Sequence, residues 1–271
     1  MAEVPDHIWS FMTQPGASVL WKALAASVPL ELVAEVCGAS TVAEGSEYPA
    51  LIRETENGNL RSDECRFVVS GAIRRFSTTW QATPVQFTHQ KYRQPAIGLR
   101  SPMPERRIAQ ARTPKILVSK VALRPQAFHD AEGDHVGAYT TYVLQRTVPL
   151  GALTAVLNSS LVAFVFRVLY DALAMGGGYL RFQPPQLRRV PLPARLLEGA
   201  ASEPSLSALE ALASEAASIR RMRASLTSPD DLNALDRQIV ALDRRIDRLV
   251  YDLYGLTDDE IALVEESVPP R

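Results

Sequence analysis

Cysteine is scarce in this 271-residue chain, where Cys37 and Cys65 are the whole supply. They fit no metal-ligand spacing and are too few for a disulfide framework, which argues against a zinc module or a stapled extracellular fold. Histidine is equally sparse, and His7, His89, His129 and His135 stand at no ligand spacing, so no metal is expected. There is no excess of charge of one sign either: 29 Lys and Arg face 30 Asp and Glu. Any contact with a polyanion must therefore come from a local patch.

A long uninterrupted apolar run is also missing. The most apolar region, 150–174, is broken by Asn158, Ser159, Ser160, Arg167 and Asp171, which suits a buried helix rather than a membrane span. The first residues carry Glu3 and Asp6 without a basic segment before an apolar stretch, so a secretory signal is not expected and the location read is cytoplasmic. No repeat suggests a solenoid.

At 46% hydrophobic content, the chain can bury a substantial core. Residues 17–35 read as a helix disturbed at Pro29, and short β-type runs follow at 50–52 and 65–69. The segment 71–112 is polar, basic and aromatic: it places nine Lys, Arg and His residues between Arg74 and Arg112 against the single acid Glu105. Two strands are predicted at 115–119 and 138–144, flanking a turn at 130–134. From Pro149, leucines and aromatics at spacings of three and four predict one long helix, stopped by Gly176-Gly177-Gly178. A Pro-rich stretch to Leu192 opposes helix. Beyond an Ala/Ser/Glu-rich boundary at 197–205, helical patterns at 206–222 and 231–254 predict an antiparallel pair. The second has a coiled-coil-like seam of Leu232, Leu235, Ile239, Leu242, Ile246, Leu249 and Leu253. Gly255 and the capping box Thr257–Glu260 predict a stop and one last helix.

Several of these segments, in order, resemble the C-terminal target-recognition (specificity) region of TaqI-like and Eco57I-like type II adenine-N6 DNA methyltransferases. The carriers are Pro114-Lys115-Ile116-Leu117-Val118, then Leu153-Thr154-Ala155-Val156-Leu157-Asn158-Ser159-Ser160-Leu161, then Gly176-Gly177-Gly178-Tyr179 leading to Val190-Pro191-Leu192-Pro193. The tail Ile246–Thr257 resembles the end of the larger Eco57I-like members. Weaker marks stand at Pro29–Val33 and at Ser70-Gly71-Ala72-Ile73-Arg74-Arg75-Phe76; relatives tend to carry a Gly-Arg-Asp-type sequence at the latter.

The resemblance implies an α+β fold: a small mixed-sheet DNA-recognition domain with a central packed helix (1–195), then a helical hairpin and terminal helix (206–271). It also implies sequence-specific binding of double-stranded DNA as the specificity module or subunit of an adenine-N6 methyltransferase, in restriction-modification or phage defence. The catalytic subunit or domain would hold S-adenosylmethionine, and the C-terminal hairpin is a candidate dock for it. Two other readings stay open: a fragment of a single-chain restriction-modification methyltransferase, and a helical protein-interaction module without nucleic-acid role.

Catalysis by the chain itself is not expected. An amino-methyltransferase needs an Asn/Asp-Pro-Pro-aromatic motif to hold a flipped adenine, whereas Gln183-Pro184-Pro185-Gln186 has only the prolines and reads as a turn. The glycine triplet leaves a helix, not the strand that a cofactor-binding loop requires. No Gly-x-Ser-x-Gly elbow occurs. The cluster His129, Asp130, Glu132, Asp134, His135 reads as a solvated acidic turn. For DNA contact the candidates are Arg74, Arg75, Lys91, Arg93, Arg106 and Arg107 for phosphates or guanine, Gln90 or Gln94 for an adenine edge, and Arg188 and Arg189 beside the Pro-rich turn. Trp80 and Tyr92 read as core packing, and Asn158 as a buried amide bonded to a neighbouring strand.

Overall fold

The structure, a computed structural model, describes residues 16–25, 27–198 and 204–268. The readings of the first nine residues and His7, and part of the boundary read at 197–205, fall outside that set.

The chain begins with α1 (Ala17–Ala25), β1 (Ser27–Pro29), the single turn α2 (Leu30–Val33) and β2 (Ala34–Gly38). The helix predicted over 17–35 thus ends early. Proline at 29 fixes an extended backbone, and alternate burial of Ala34 and Val36 makes β2 a better strand than helix. Then come α3 (Val42–Glu47), opened by a capping box between Thr41 and Glu44, β3 (Ile52–Glu54) and β4 (Glu64–Val69).

The basic segment holds the hairpins β5 (Ile73–Arg74) with β6 (Ser77–Thr78) and β7 (Val85–Phe87) with β8 (Gln90–Tyr92). The strand β9 (Pro95–Gly98) and the helix α4 (Glu105–Arg112) follow. Pattern reading missed α4 because its surface is polar on most sides. The predicted strands are present as β10 (Lys115–Ser119) and β14 (Thr140–Gln145), with β11 (Val121–Ala122), β12 (Ala127–Asp130) and β13 (His135–Ala138) between them.

Two four-stranded sheets organise the fold, in the orders β12-β10-β14-β2 and β13-β4-β9-β3. In the first, Ile116, Val118, Ala127 and Val143 face the helices, while Leu117, Phe128 and Tyr142 point into a core shared with Val68, Ile73 and Trp80. A sheet covered on both faces reads as a continuous apolar run, which is why Lys115–Ser119 shows no alternation. Trp80 and Tyr92 are core residues, Trp80 donating its indole N–H to the carbonyl of Pro95 at 2.8 Å.

The long helix predicted from Pro149 is two helices, α5 (Leu150–Leu157) and α6 (Ser160–Tyr170), bent by 61°. No single helix among the described residues is long and apolar enough to cross a membrane. Asn158 stands at the break and clamps a strand edge: its Oδ1 accepts from Ala127 N–H at 3.0 Å, and its Nδ2 donates to Ala127 C=O at 2.8 Å. The strand-bonded amide read from sequence is therefore present. Ser159 then caps α6 by accepting from Val162 N–H.

Past the glycine triplet come β15 (Leu180–Arg181), α7 (Pro184–Leu187), β16 (Pro191–Pro193) and α8 (Arg195–Glu198). The two prolines of 183–186 open the short helix α7, as their fixed φ allows. The final elements are α9 (Pro204–Ser225), α10 (Pro229–Tyr254) and α11 (Asp258–Ser267), with Gly255 left-handed at the α10 end and the capping box formed at Thr257. The fold is α+β, with the paired C-terminal helices expected.

One hydrophobic cluster runs from Val19 through the first sheet, α5 and α6 to Leu209, Ile246, Val250 and Val264. The segments 1–195 and 206–271 thus share a core. Polar clamps reinforce the join. Asp243 on α10 binds Arg75 at 2.7 Å and Arg220 at 2.8 Å, and Asp247 accepts from the backbone N–H of Ser160 at 2.7 Å and from its hydroxyl at 2.8 Å.

Candidate nucleic-acid interface

The strand ends bring several loops together at one end of the two sheets. Strands β4 and β13 run parallel in register, Val69 opposite Ala138, so Ser70 and Tyr139 emerge side by side. Ser70 Oγ donates to the carbonyl of Tyr139 and accepts from Lys120 N–H at 3.0 Å. Ser119 Oγ donates to the carbonyl of Ser70 at 3.1 Å, and Phe182 N–H to that of Lys120 at 2.9 Å. Ala39 N–H reaches the carbonyl of Thr140, and the Phe87 ring before the β7–β8 turn lies 5.7 Å from that of Tyr139.

The rim so defined comprises 39–43, 70–74, 88–91, 119–124, 139–140 and 175–182. These segments contain no Asp or Glu, yet hold Arg74, His89, Lys91, Lys120 and Arg181 at least partly open to solvent; Arg124, also on them, is buried against the carbonyl of Asn158. In a chain with no overall positive excess, such segregation creates a local field of one sign. Apolar side chains are exposed on the same rim: Val121, Leu123, Tyr139, Met175 and Tyr179. Left-handed Gly177 and Gly178 shape the turn between the last two. Leu173 extends this apolar surface beside them.

The candidates read from sequence divide between this rim and other places. Arg74, Gln90 and Lys91 lie on it. Arg74 is exposed and bends back to the carbonyls of Gly71 and Ile73, Gln90 accepts from the hydroxyl of Tyr92, and Lys91 is exposed opposite Gln86. Arg93 and Gln94 leave the hairpin at its other end, where Glu54 accepts from both backbone N–H groups and Gln94 C=O accepts from Thr55.

For Arg75 and Arg107 the expected DNA contact is corrected. Arg75 is buried against Asp243, and Arg107 is buried against Glu44 with further bonds to Gly38 C=O and Gln110. A guanidinium held in an internal ion pair offers DNA no donors. Arg106 is exposed but paired with Glu44 at 2.9 Å. Burial disfavours the charge on Glu44, but hydrogen bonds from Arg107, Thr41 N–H and Arg106 outweigh it and hold the carboxyl down at about 2. Arg188 and Arg189 are both exposed, and Arg188 donates twice to Val36 C=O at the outer edge of β2.

Sequence reading passed over Lys120, Tyr139 and Arg181, because each stands alone among apolar or small neighbours. Only the sheet register brings them together.

The cluster at 129–135 is only partly the solvated turn expected: Ala131 and Glu132 are exposed, but the other carboxylates are paired inside the fold. Asp130 is buried, bound to Lys115 at 2.6 Å and to His135 Nδ1 at 3.0 Å, while Asp134 takes Arg66 and also His135 at 2.6 Å. Although burial opposes its charge, His135 and Lys115 hold the Asp130 carboxyl below the usual carboxylate range. Both carboxylates already have cations of the chain itself, a buried pair at Asp130 with Lys115 and a part-exposed pair at Asp134 with Arg66.

No curated protein matches the chain. The family model described as the TaqI-like C-terminal specificity domain matches residues 68–192, from the end of β4 into β16. This segment carries most of the rim, all of α5 and α6, and the Asn158 clamp. Residues 68–192, a little under half of the chain, are therefore similar to a TaqI-like C-terminal specificity domain.

Proposed function

We propose that the chain binds double-stranded DNA sequence-specifically through this rim and supplies target recognition to an adenine-N6 DNA methyltransferase, in restriction-modification or phage defence. The observation that carries the reading is an acid-free cationic rim built by the specificity domain. Arg74, Lys91, Lys120 and Arg181 would meet phosphates, while Gln90 sits on the hairpin turn where a base edge could be read. Arg93, Arg106 and Arg189, at the periphery, are secondary contacts. The chain works in the cytoplasm and performs no transfer itself; S-adenosylmethionine and the catalytic residues belong to a partner subunit or domain.

The base of the C-terminal hairpin is occupied by the chain's own core, which narrows the proposed dock for that partner to the exposed end of the hairpin, around Met222, Leu226 and Val240. The direct test is fluorescence anisotropy of the full chain with duplex DNA over a range of salt. Binding whose logarithm falls linearly with log salt, together with selection of a common motif from a randomised duplex pool, is expected. Failure to bind any duplex at low salt would remove the proposal.

A further inference from the structure

Tyr139 sits where its side chain fits least well. The chain passes from β13 in one sheet to β14 in the other across this single residue, and the corner forces a left-handed backbone with φ of 54°. Glycine or asparagine suits such a corner, whereas a bulky aromatic is an outlier there. The residue is nevertheless 39% exposed on the rim. It is braced from below by Phe87, at 5.7 Å and an interplanar angle of 42°, and by buried Gly45, whose ideal Cβ would lie 3.5 Å from the phenol oxygen. The Ser70 hydroxyl holds its carbonyl. The phenol hydroxyl makes no hydrogen bond within the described residues, and Arg74, His89, Lys91 and Lys120 lie on the other segments of the rim.

Backbone strain that surrounding structure maintains points to a task for the side chain. We infer that Tyr139 is a base-contacting residue, presenting its ring to a nucleobase of the bound duplex while the surrounding cations hold the phosphates. The inference rests on the DNA-binding reading above and adds the residue that touches a base. A rigid aromatic supported on two sides loses little freedom on binding, and a ring set against a base edge in a duplex groove, as against the thymine methyl, favours some base pairs over others. An internal packing role alone would bury the ring further and would not need it at the corner.

The test compares Tyr139→Asn and Tyr139→Phe in the full chain, using the duplex that wild type selects from a randomised pool and an unrelated duplex. Asparagine suits the left-handed corner, so Tyr139→Asn should keep or raise the melting temperature. Its affinity for the selected duplex should fall about ten-fold, the scale of one lost base-specific contact, with little change for the unrelated duplex. Tyr139→Phe, which keeps the ring, should stay within about two-fold of wild type. An Asn variant that binds the selected duplex as tightly and selectively as wild type overturns the inference. A melting temperature that falls sharply for Asn while affinity per folded molecule holds overturns it too, by assigning the ring to packing. Should wild type select nothing, or should neutralising Arg74, Lys91, Lys120 and Arg181 together leave binding unchanged, the DNA-binding reading itself falls. An effect of those four changes with a silent Tyr139 removes only the inference.

Discussion

The arginines of the helical side and the cations of the loop rim are the same chemistry put to opposite uses. On the helical side Arg75 and Arg220 converge on the buried carboxylate of Asp243, and the Phe76 ring lies beneath both guanidinium groups at 5.8 and 5.0 Å. On the rim, Arg74, Lys91, Lys120 and Arg181 lie on segments without a single acid. Adjacent residues fall on opposite sides of this division: Arg74 is exposed and Arg75 buried, because the β5–β6 turn sends successive side chains to opposite faces. The lesson is that a basic stretch of sequence measures charge, whereas the availability of that charge depends on where the chain keeps its acids.

The sharpest way to break the comparison is to remove the acid that occupies the inner set. Asp243→Ala leaves the buried guanidinium of Arg75 and the part-buried one of Arg220 without their carboxylate, a change that costs about 3–5 kcal/mol when one member of a buried pair is lost. Chemical denaturation should show that loss. A midpoint close to that of wild type would mean that Asp243 does not anchor α10 to the β5–β6 hairpin. Next in size is Asn158→Ala, which leaves Ala127 N–H in β12 without its acceptor, while Ala127 C=O keeps Phe76 N–H as a donor at 2.7 Å, and should cost about 1–3 kcal/mol. An unchanged unfolding free energy would show that water replaces the amide.

The outer set is broken without touching stability. Changing Lys120 and Arg181 each to Gln should leave the melting temperature unaltered and reduce the slope of log affinity against log salt by about 0.9 for each phosphate that is no longer neutralised. A falling melting temperature, or an unaltered slope, would place these two side chains in the fold rather than on DNA.

Local signals made much of the fold legible. The capping box at Thr257, the left-handed Gly255 and the α10 seam act over a few residues, and all three stand where the sequence placed them. The Asn158 clamp was legible because an amide in an apolar helix must find partners. The 61° break beside it was not, since the apolar spacing continues through Ser159 and Ser160 while the clamp and the new N-cap interrupt the helix. The β2 strand was misread for a related reason: five residues after a proline carry a weak local preference, and pairing with β14 decides. The rim was half legible. Arg74 and Lys91 belong to the basic stretch, but Lys120, Tyr139 and Arg181 join them only through register between strands far apart in sequence.

The smallest effect concerns a cation pair held near the rim yet kept from it. Glu44 binds Arg106 and Arg107, and its folded carboxyl lies at about 2, below the ordinary value of 4.5. Because the folded value is the lower one, this interaction stabilises the protein fully above about pH 4.5 and is lost as the pH falls toward about 2. Arg106 is open to water, so screening limits the contribution to about 1 kcal/mol. Glu44→Gln should flatten the stability profile between those pH values and leave the neutral side with a deficit of that size. It should also release Arg106, and partly Arg107, from an acid that stands beside the cationic rim. If duplex affinity at low salt then rises, Glu44 limits how far the cationic face extends; if it falls, the Glu44 pair is needed to hold α3 and the neighbouring 39–43 loop in place for DNA.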